Sequence, residues 1–142
     1  MTRKRPPKRR SGCPVNAALE MLGDSWSLLI VRDLMLFGRK TFREFLASGE
    51  GIATNILADR LAKLEANGIV TRQRDPEDAR RVRYRLTEKG IALAPVMLEV
   101  AVWGATHEKT AAPPESIRRM KDERDRVLTE IRAKWEAEGE GA

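Results

Sequence analysis

Ile52-Ala53-Thr54-Asn55-Ile56-Leu57-Ala58-Asp59-Arg60-Leu61-Ala62-Lys63-Leu64-Glu65-Ala66-Asn67-Gly68 combines a helical stripe, a helix stop and a face of small side chains. Leu57, Leu61 and Leu64 recur at i, i+4 and i+7, and Asn67-Gly68 supplies the left-handed residue that ends a helix. The leucines must pack inward. At roughly 100° per residue, Asn55, Asp59, Ala62 and Ala66 then face outward, flanked by Ala58 and Lys63. Such a face fits a major groove, and the Asn55 carboxamide offers the donor and acceptor that match an adenine edge.

The neighbouring segments extend this pattern. Thr41-Phe42-Arg43-Glu44 fits a capping box, so a short helix starts there and buries Phe42, Phe45 and Leu46, with a turn at Ser48-Gly49-Glu50-Gly51. After Gly68 the period becomes two: Ile69 to Arg74 reads as a strand, Asp75 to Asp78 as a turn, and Val82 to Thr87 as a returning strand. Val82, Tyr84 and Leu86 point one way, Arg83 and Arg85 the other, which makes a hairpin apolar beneath and cationic above. Helix, turn, helix and basic hairpin in this order predict a winged helix-turn-helix in a mainly α chain.

The 142 residues suit one domain, with a disordered basic arm over 1–12, a body over 13–108, a Pro-containing linker over 109–114, an amphipathic helix over 115–138 and a frayed tail over 139–142. Within the body, Pro14 opens a first helix with Cys13 at its N-cap, and Val15, Ala18, Leu19 and Leu22 form its stripe. A strongly apolar second helix, about Ser25 to Phe37, forms the floor. A long helix from Glu88 to about His107 must bend or loosen at Pro95 and is apolar almost all round, more than one subunit can cover. Dimerising terminal helices follow as an expectation, with Val15, Leu19, Val96, Val100 and Trp103 at the interface. The final helix carries Ile117, Met120, Val127, Leu128, Ile131 and Trp135 at near-heptad spacing and is expected to assist.

The formal net charge is +6, but Arg3, Lys4, Arg5, Lys8, Arg9 and Arg10 account for all of it, and the rest of the chain balances 21 acidic residues with as many basic ones. No apolar run approaches the roughly 18 residues of a membrane span and no signal core follows the charged amino terminus, so a cytoplasmic, nucleoid-associated protein is expected. One cysteine and one histidine exclude a disulfide framework and the usual clustered metal sites; no phosphate loop or partnered nucleophile is present, so neither cofactor nor enzymatic activity is expected.

The chain resembles the HxlR-type transcriptional regulators, a winged-helix group related to MarR proteins. The resemblance rests on Cys13-Pro14-Val15, Leu22-Gly23-Asp24-Ser25-Trp26, Arg32-Asp33-Leu34, Gly38, Phe42-Arg43-Glu44-Phe45, Gly51-Ile52, Leu57-Ala58-Asp59-Arg60-Leu61, Leu64 to Arg72 and Arg81 to Gly90, in that order. It implies a homodimer built from terminal helices, two recognition helices on a pseudo-palindromic operator in double-stranded DNA, and repression or activation of nearby genes. Three departures stand out. Ala53 occupies a position where such proteins often place a capping Ser, worth about 1 kcal/mol. The basic arm and the helix after Pro114 both extend beyond the shared core.

Each candidate has a sharp and a bland reading. Thr54, Asn55, Ala58, Asp59 and Lys63 are groove-facing candidates, although Asp59 and Lys63 are also spaced as an i, i+4 ion pair. Arg60 lies at the edge of the core face, a packed stem with a phosphate or carboxylate at its tip. Arg72, Arg74, Arg80, Arg81, Arg83 and Arg85 on the wing, with Arg9 and Arg10 on the arm, are candidates for phosphate or minor-groove contact. Against that, Arg80 and Arg81 can pair with Asp75, Glu77 and Asp78. A thiol at a helix N-terminus near Arg9 and Arg10 suits an electrophile or oxidant sensor, and several HxlR-type proteins are similar in using one; Cys13 is equally a small hydrophobe in an interface. Trp26 and Trp103 read as core or interface fillers rather than a ligand box. A sequence-specific regulator is the leading function, ahead of a non-specific nucleic-acid-binding architectural protein and a protein-binding module.

Overall fold

A computed structural model of the chain describes residues 8–140, without the side chain of Glu140. The basic residues at 3–5 and the end of the tail, 141–142, lie outside the described residues. Among the described residues, eight helices and one hairpin follow in the order α1 (Pro14–Leu22), α2 (Ser27–Leu36), α3 (Phe42–Leu46), α4 (Thr54–Ala66), β1 (Val70–Arg74), β2 (Val82–Leu86), α5 (Glu88–Ile91), α6 (Ala94–His107), α7 (Pro114–Asp122) and α8 (Arg124–Glu140).

Helix ends follow local chemistry. Pro14 sits in the first turn of α1, where a missing N–H costs nothing, and Cys13 is its N-cap. Asp24 caps α2 by accepting from the Trp26 and Ser27 amides at 2.7 and 2.9 Å. Thr41 and Glu44 form the reciprocal capping box of α3. Ala53 leaves α4 without a side-chain cap, and α4 closes at Asn67, with Gly68 turning the chain at φ 72°. A side chain is strained at that angle.

The core gathers Ile30, Val31 and Leu34 of α2, Phe45 of α3, Leu57, Leu61 and Leu64 of α4, Val70 and Leu86 of the hairpin, and Met97 and Leu98 of α6. β1 and β2 pair antiparallel, with Val70 opposite Leu86, Arg72 opposite Tyr84 and Gln73 opposite Arg83. On the free side of β2, the Tyr84 amide donates to the Lys40 carbonyl at 2.7 Å, joining the end of the α2–α3 connection to the wing.

Two long helices expected from the sequence are each broken. The segment 88–107 is split between α5 and α6 at Ala92 and Leu93, just ahead of Pro95, which lies in the first turn of α6. Proline lacks the N–H needed to continue the α5 ladder, so a break replaces the expected bend. The segment 115–138 is two helices that part at Glu123, where α7 packs on α6 and α8 turns back across α2 and α6. Arg118 bonds both Glu115 and Glu123 at this corner, and Arg126 adds a bond to Glu123. Hydrogen bonds from Arg118 pull both carboxyls below their usual range, with Arg126 contributing at Glu123. Val127 and Ile131 of α8 are buried in the chain's own core, so this apolar stripe is used within the subunit.

Candidate nucleic-acid interface

The leucine stripe sinks α4 into the core and turns Thr54, Asn55, Ala58, Asp59, Ala62, Lys63 and Ala66 outward, all exposed. Asp59 does not pair with Lys63. It binds the neighbouring Arg60, whose guanidinium also lies 3.2 Å from Asp24. The Arg60 tip therefore finds a carboxylate, and it ties the recognition helix to the cap of α2. Burial alone would raise the Asp24 carboxyl, but the Ser27 hydroxyl, the Trp26 and Ser27 amides and Arg60 outweigh it and hold it at about 2.

The wing is organised around acids. Asp75 is buried, accepts from the Glu77 amide at 2.9 Å and pairs with Arg83 Nε at 3.0 Å. The Glu77 amide, then the Arg83 charge, keep it below the usual carboxylate range. Asp78 takes the Arg80 side chain at 3.3 Å, although Arg80 remains 93% exposed, and Glu65 of α4 takes Arg72 at 3.6 Å. Arg74, Arg81 and Lys63 are exposed and form no ion pair among the described residues. The cationic upper side expected from Arg83 and Arg85 is not left free: Arg83 is paired with Asp75, and the Arg85 guanidinium lies 4.5 Å from the centre of the Trp135 ring. Period-two alternation does place Arg85 opposite the core face, but Trp135 of α8 covers it there, while Thr71, Gln73 and Arg83 on the same face stay exposed.

Arg9 and Arg10, expected on a free arm, fold back onto α1. Arg10 donates to Asn16 Oδ1 at 2.7 Å, its amide donates to Glu20 at 3.1 Å, and Arg9 approaches Glu20 at 4.0 Å. Asn16 and Glu20 lie one turn apart and present their oxygens together. Cys13 is exposed and is the sole cysteine, with its amide on the Ser11 hydroxyl at 3.3 Å.

Val15, Leu19, Val96, Val100 and Trp103 all stand exposed, Val15 and Trp103 at 64%. The Trp103 ring lies beside the His107 ring, 5.2 Å away, whereas Trp26 is half-buried against the core. By length and composition alone Glu88–His107 is apolar enough to cross a membrane, with 28% of its most apolar window buried. The break ahead of Pro95 interrupts it.

Sequence reasoning also missed Phe37, Lys40 and Arg43. Phe37, expected in the buried floor, is 55% exposed at the end of α2, with the Arg32 and Arg39 guanidinium groups 5.2 and 5.1 Å from its ring. Lys40 and Arg43 line an open groove between α3 and the wing together with Arg80, Arg81 and Arg83. The capping box that places Arg43 on α3 was the available signal. No group of three His, Cys, Asp or Glu among the described residues is placed to hold a metal ion.

Helix, turn, exposed second helix and basic hairpin define the winged helix-turn-helix class of DNA-binding proteins. Residues 21–112 match the HxlR-like helix-turn-helix family, and the chain belongs to that family of transcriptional regulators. It is 44% identical over 92 residues to the HTH-type transcriptional regulator YodB of Bacillus subtilis (strain 168), covering 64% of this chain and 81% of that protein. The quinone-bound structure of YodB superposes with a TM-score of 0.54 at 39% identity, over 66% of this chain and 98% of that one. The oxidised redox regulator HypR gives 0.62 at 33% identity, over 69% and 100%, and PA1607 gives 0.66 at 38% identity, over 73% and 71%. The relatives are named as transcriptional regulators, a non-enzymatic role.

Proposed function

We propose that this protein is a sequence-specific DNA-binding regulator that acts in the cytoplasm, on the nucleoid, as a homodimer over a pseudo-palindromic operator. The observation that carries the reading is the outward face of α4, where Thr54, Asn55 and Ala58 stand exposed, together with a wing tip whose Arg80 and Arg81 are also exposed. Small side chains let the helix approach base edges, and the wing cations meet phosphates. A second copy accounts for the exposed Val15, Leu19, Phe37, Val96, Val100 and Trp103, because so many large apolar side chains are not left in water by a soluble monomer.

Cys13 is the proposed point of regulation. Its thiol is open to solvent at the amino end of α1, the helix that also carries Val15 and Leu19, so a modified sulfur would stand beside the proposed dimer contact. Support comes from HypR, called a redox regulator and solved in oxidised form, and from YodB, solved after diamide treatment and with quinone bound. Selection of bound duplexes from a random pool, followed by footprinting, tests the DNA reading. The expected result is a two-fold-related site whose half-sites lie about 10 to 10.5 base pairs apart, or a multiple of that. A footprint independent of sequence would overturn it in favour of the architectural alternative.

A further inference from the structure

We infer that α8 is a brace for the wing, and that Trp135 and Arg85 are positioning residues that hold the hairpin at the angle needed to reach DNA. The brace lies beyond residues 21–112, the segment shared with the family, whereas the wing lies within it. The inference rests on the DNA reading of the wing only for its functional consequence.

A two-stranded hairpin has little stability of its own. In β1 only Val70 is buried, and Thr71, Arg72, Gln73 and Arg74 are exposed. On one face the hairpin is held by Tyr84 against Phe45, with ring centres 6.0 Å apart. On the other face α8 supplies the support. Val127 and Ile131 anchor that helix in the core, and one turn further on the Trp135 indole N–H donates to the Leu86 carbonyl at 2.9 Å. The Trp135 ring carries the Arg85 guanidinium at 4.5 Å and the Arg132 guanidinium at 5.4 Å, and Arg132 continues to Glu88 at 2.8 Å. Glu138 reaches Lys40 at 3.4 Å, on the segment whose carbonyl receives the Tyr84 amide. Gly139 completes the seat, since a Cβ there would lie 2.8 Å from Arg85 Cζ.

These contacts reach the free edge of β2 and the side chain of Arg85. They also engage Arg85 away from phosphate, because a guanidinium 4.5 Å over an indole ring is attracted by the ring face. Arg85→Lys separates the two roles: it keeps the charge that a phosphate would need and loses the guanidinium that meets the indole ring.

The test uses the full chain and the variants Arg85→Lys, Trp135→Phe and Trp135→Ala; should Trp135→Ala fail to fold, the first two suffice. Hydrogen exchange is measured without DNA. The brace predicts several-fold faster exchange of the amides at 71–85 in Arg85→Lys and Trp135→Phe, with those of α4 unchanged. Unchanged wing exchange would overturn it. Affinity for a selected duplex is then measured with and without Arg80→Ala/Arg81→Ala in each background. In the wild type this pair should lower the slope of log K against log salt by roughly 0.9 for each phosphate that the two arginines neutralise. In the unbraced variants it should lower the slope by less than half as much. An undiminished effect there would overturn the positioning role. No effect of the pair in the wild type would instead overturn the DNA reading of the wing, and the exchange result would still decide the brace.

Discussion

Replacing Asp24 by Asn removes one negative charge at the junction of α1, α2 and α4. The carboxylate accepts from two amides and the Ser27 hydroxyl at the start of α2 and faces Arg60 of the recognition helix at 3.2 Å, with a quarter of its side chain exposed. Its pKa falls from the ordinary 3.8 to about 2. At about 1.4 kcal/mol per tenfold change in proton affinity, the ionised form stabilises the fold by about 2 kcal/mol relative to the protonated one. Asn retains an acceptor and mimics the protonated acid, so Asp24→Asn should cost about 2 kcal/mol at neutral pH. Asp24→Ala also loses the cap and should cost about 1 kcal/mol more. Because the folded pKa lies below the unfolded one, the contribution is complete above about pH 4 and is lost as the pH falls through about 2. Urea denaturation at fixed protein concentration, from pH 7 down to pH 2, measures this. The gap between wild type and Asp24→Asn should close over the acidic interval, although Asp75 and Glu44 also titrate low. A cost below about 0.5 kcal/mol at pH 7, or a gap that stays constant to pH 2, would refute the argument.

Two further outcomes are expected. Val100→Asp or Trp103→Asp, at exposed apolar positions of α6, should shift the protein from dimer to monomer in light scattering at micromolar concentration, and a folded wild-type monomer under those conditions would remove the case for a dimer. Diamide or a quinone should change the DNA affinity of the wild type and leave that of Cys13→Ser unaltered; equal responses, with Cys13 unmodified by mass spectrometry, would assign the thiol a packing role only.

What the sequence disclosed was governed by the range of the contacts involved. The recognition helix was readable because leucine spacing and the Asn67-Gly68 stop are local, and the start of α3 because its capping box spans four residues. The break at Glu123 was not, since Lys121 to Asp125 contains neither glycine nor proline and the turn depends on packing against α6 and α2. Arg85 shows the same limit. Alternation assigns it to a face, but what covers that face comes from Trp135, fifty residues later in the chain. The Asp75–Arg83 pair was missed for a nearer reason: the acid belongs to the turn and folds back over the strand. Asn16 and Glu20 capture Arg9 and Arg10 through side-chain geometry that composition alone does not encode.

The central claim is that the exposed face of α4 reads bases while the wing tip holds phosphates. Binding of wild type, Asn55→Ala and Arg80→Ala/Arg81→Ala to a selected operator and to its scrambled duplex, at two salt concentrations, tests it most directly. Asn55→Ala should cost about 1 to 3 kcal/mol on the operator and far less on the scrambled duplex, whereas the arginine pair should weaken both by similar factors and flatten the salt dependence. An operator-to-scrambled ratio left unchanged by Asn55→Ala would contradict base reading by that side chain and return the architectural alternative to the front.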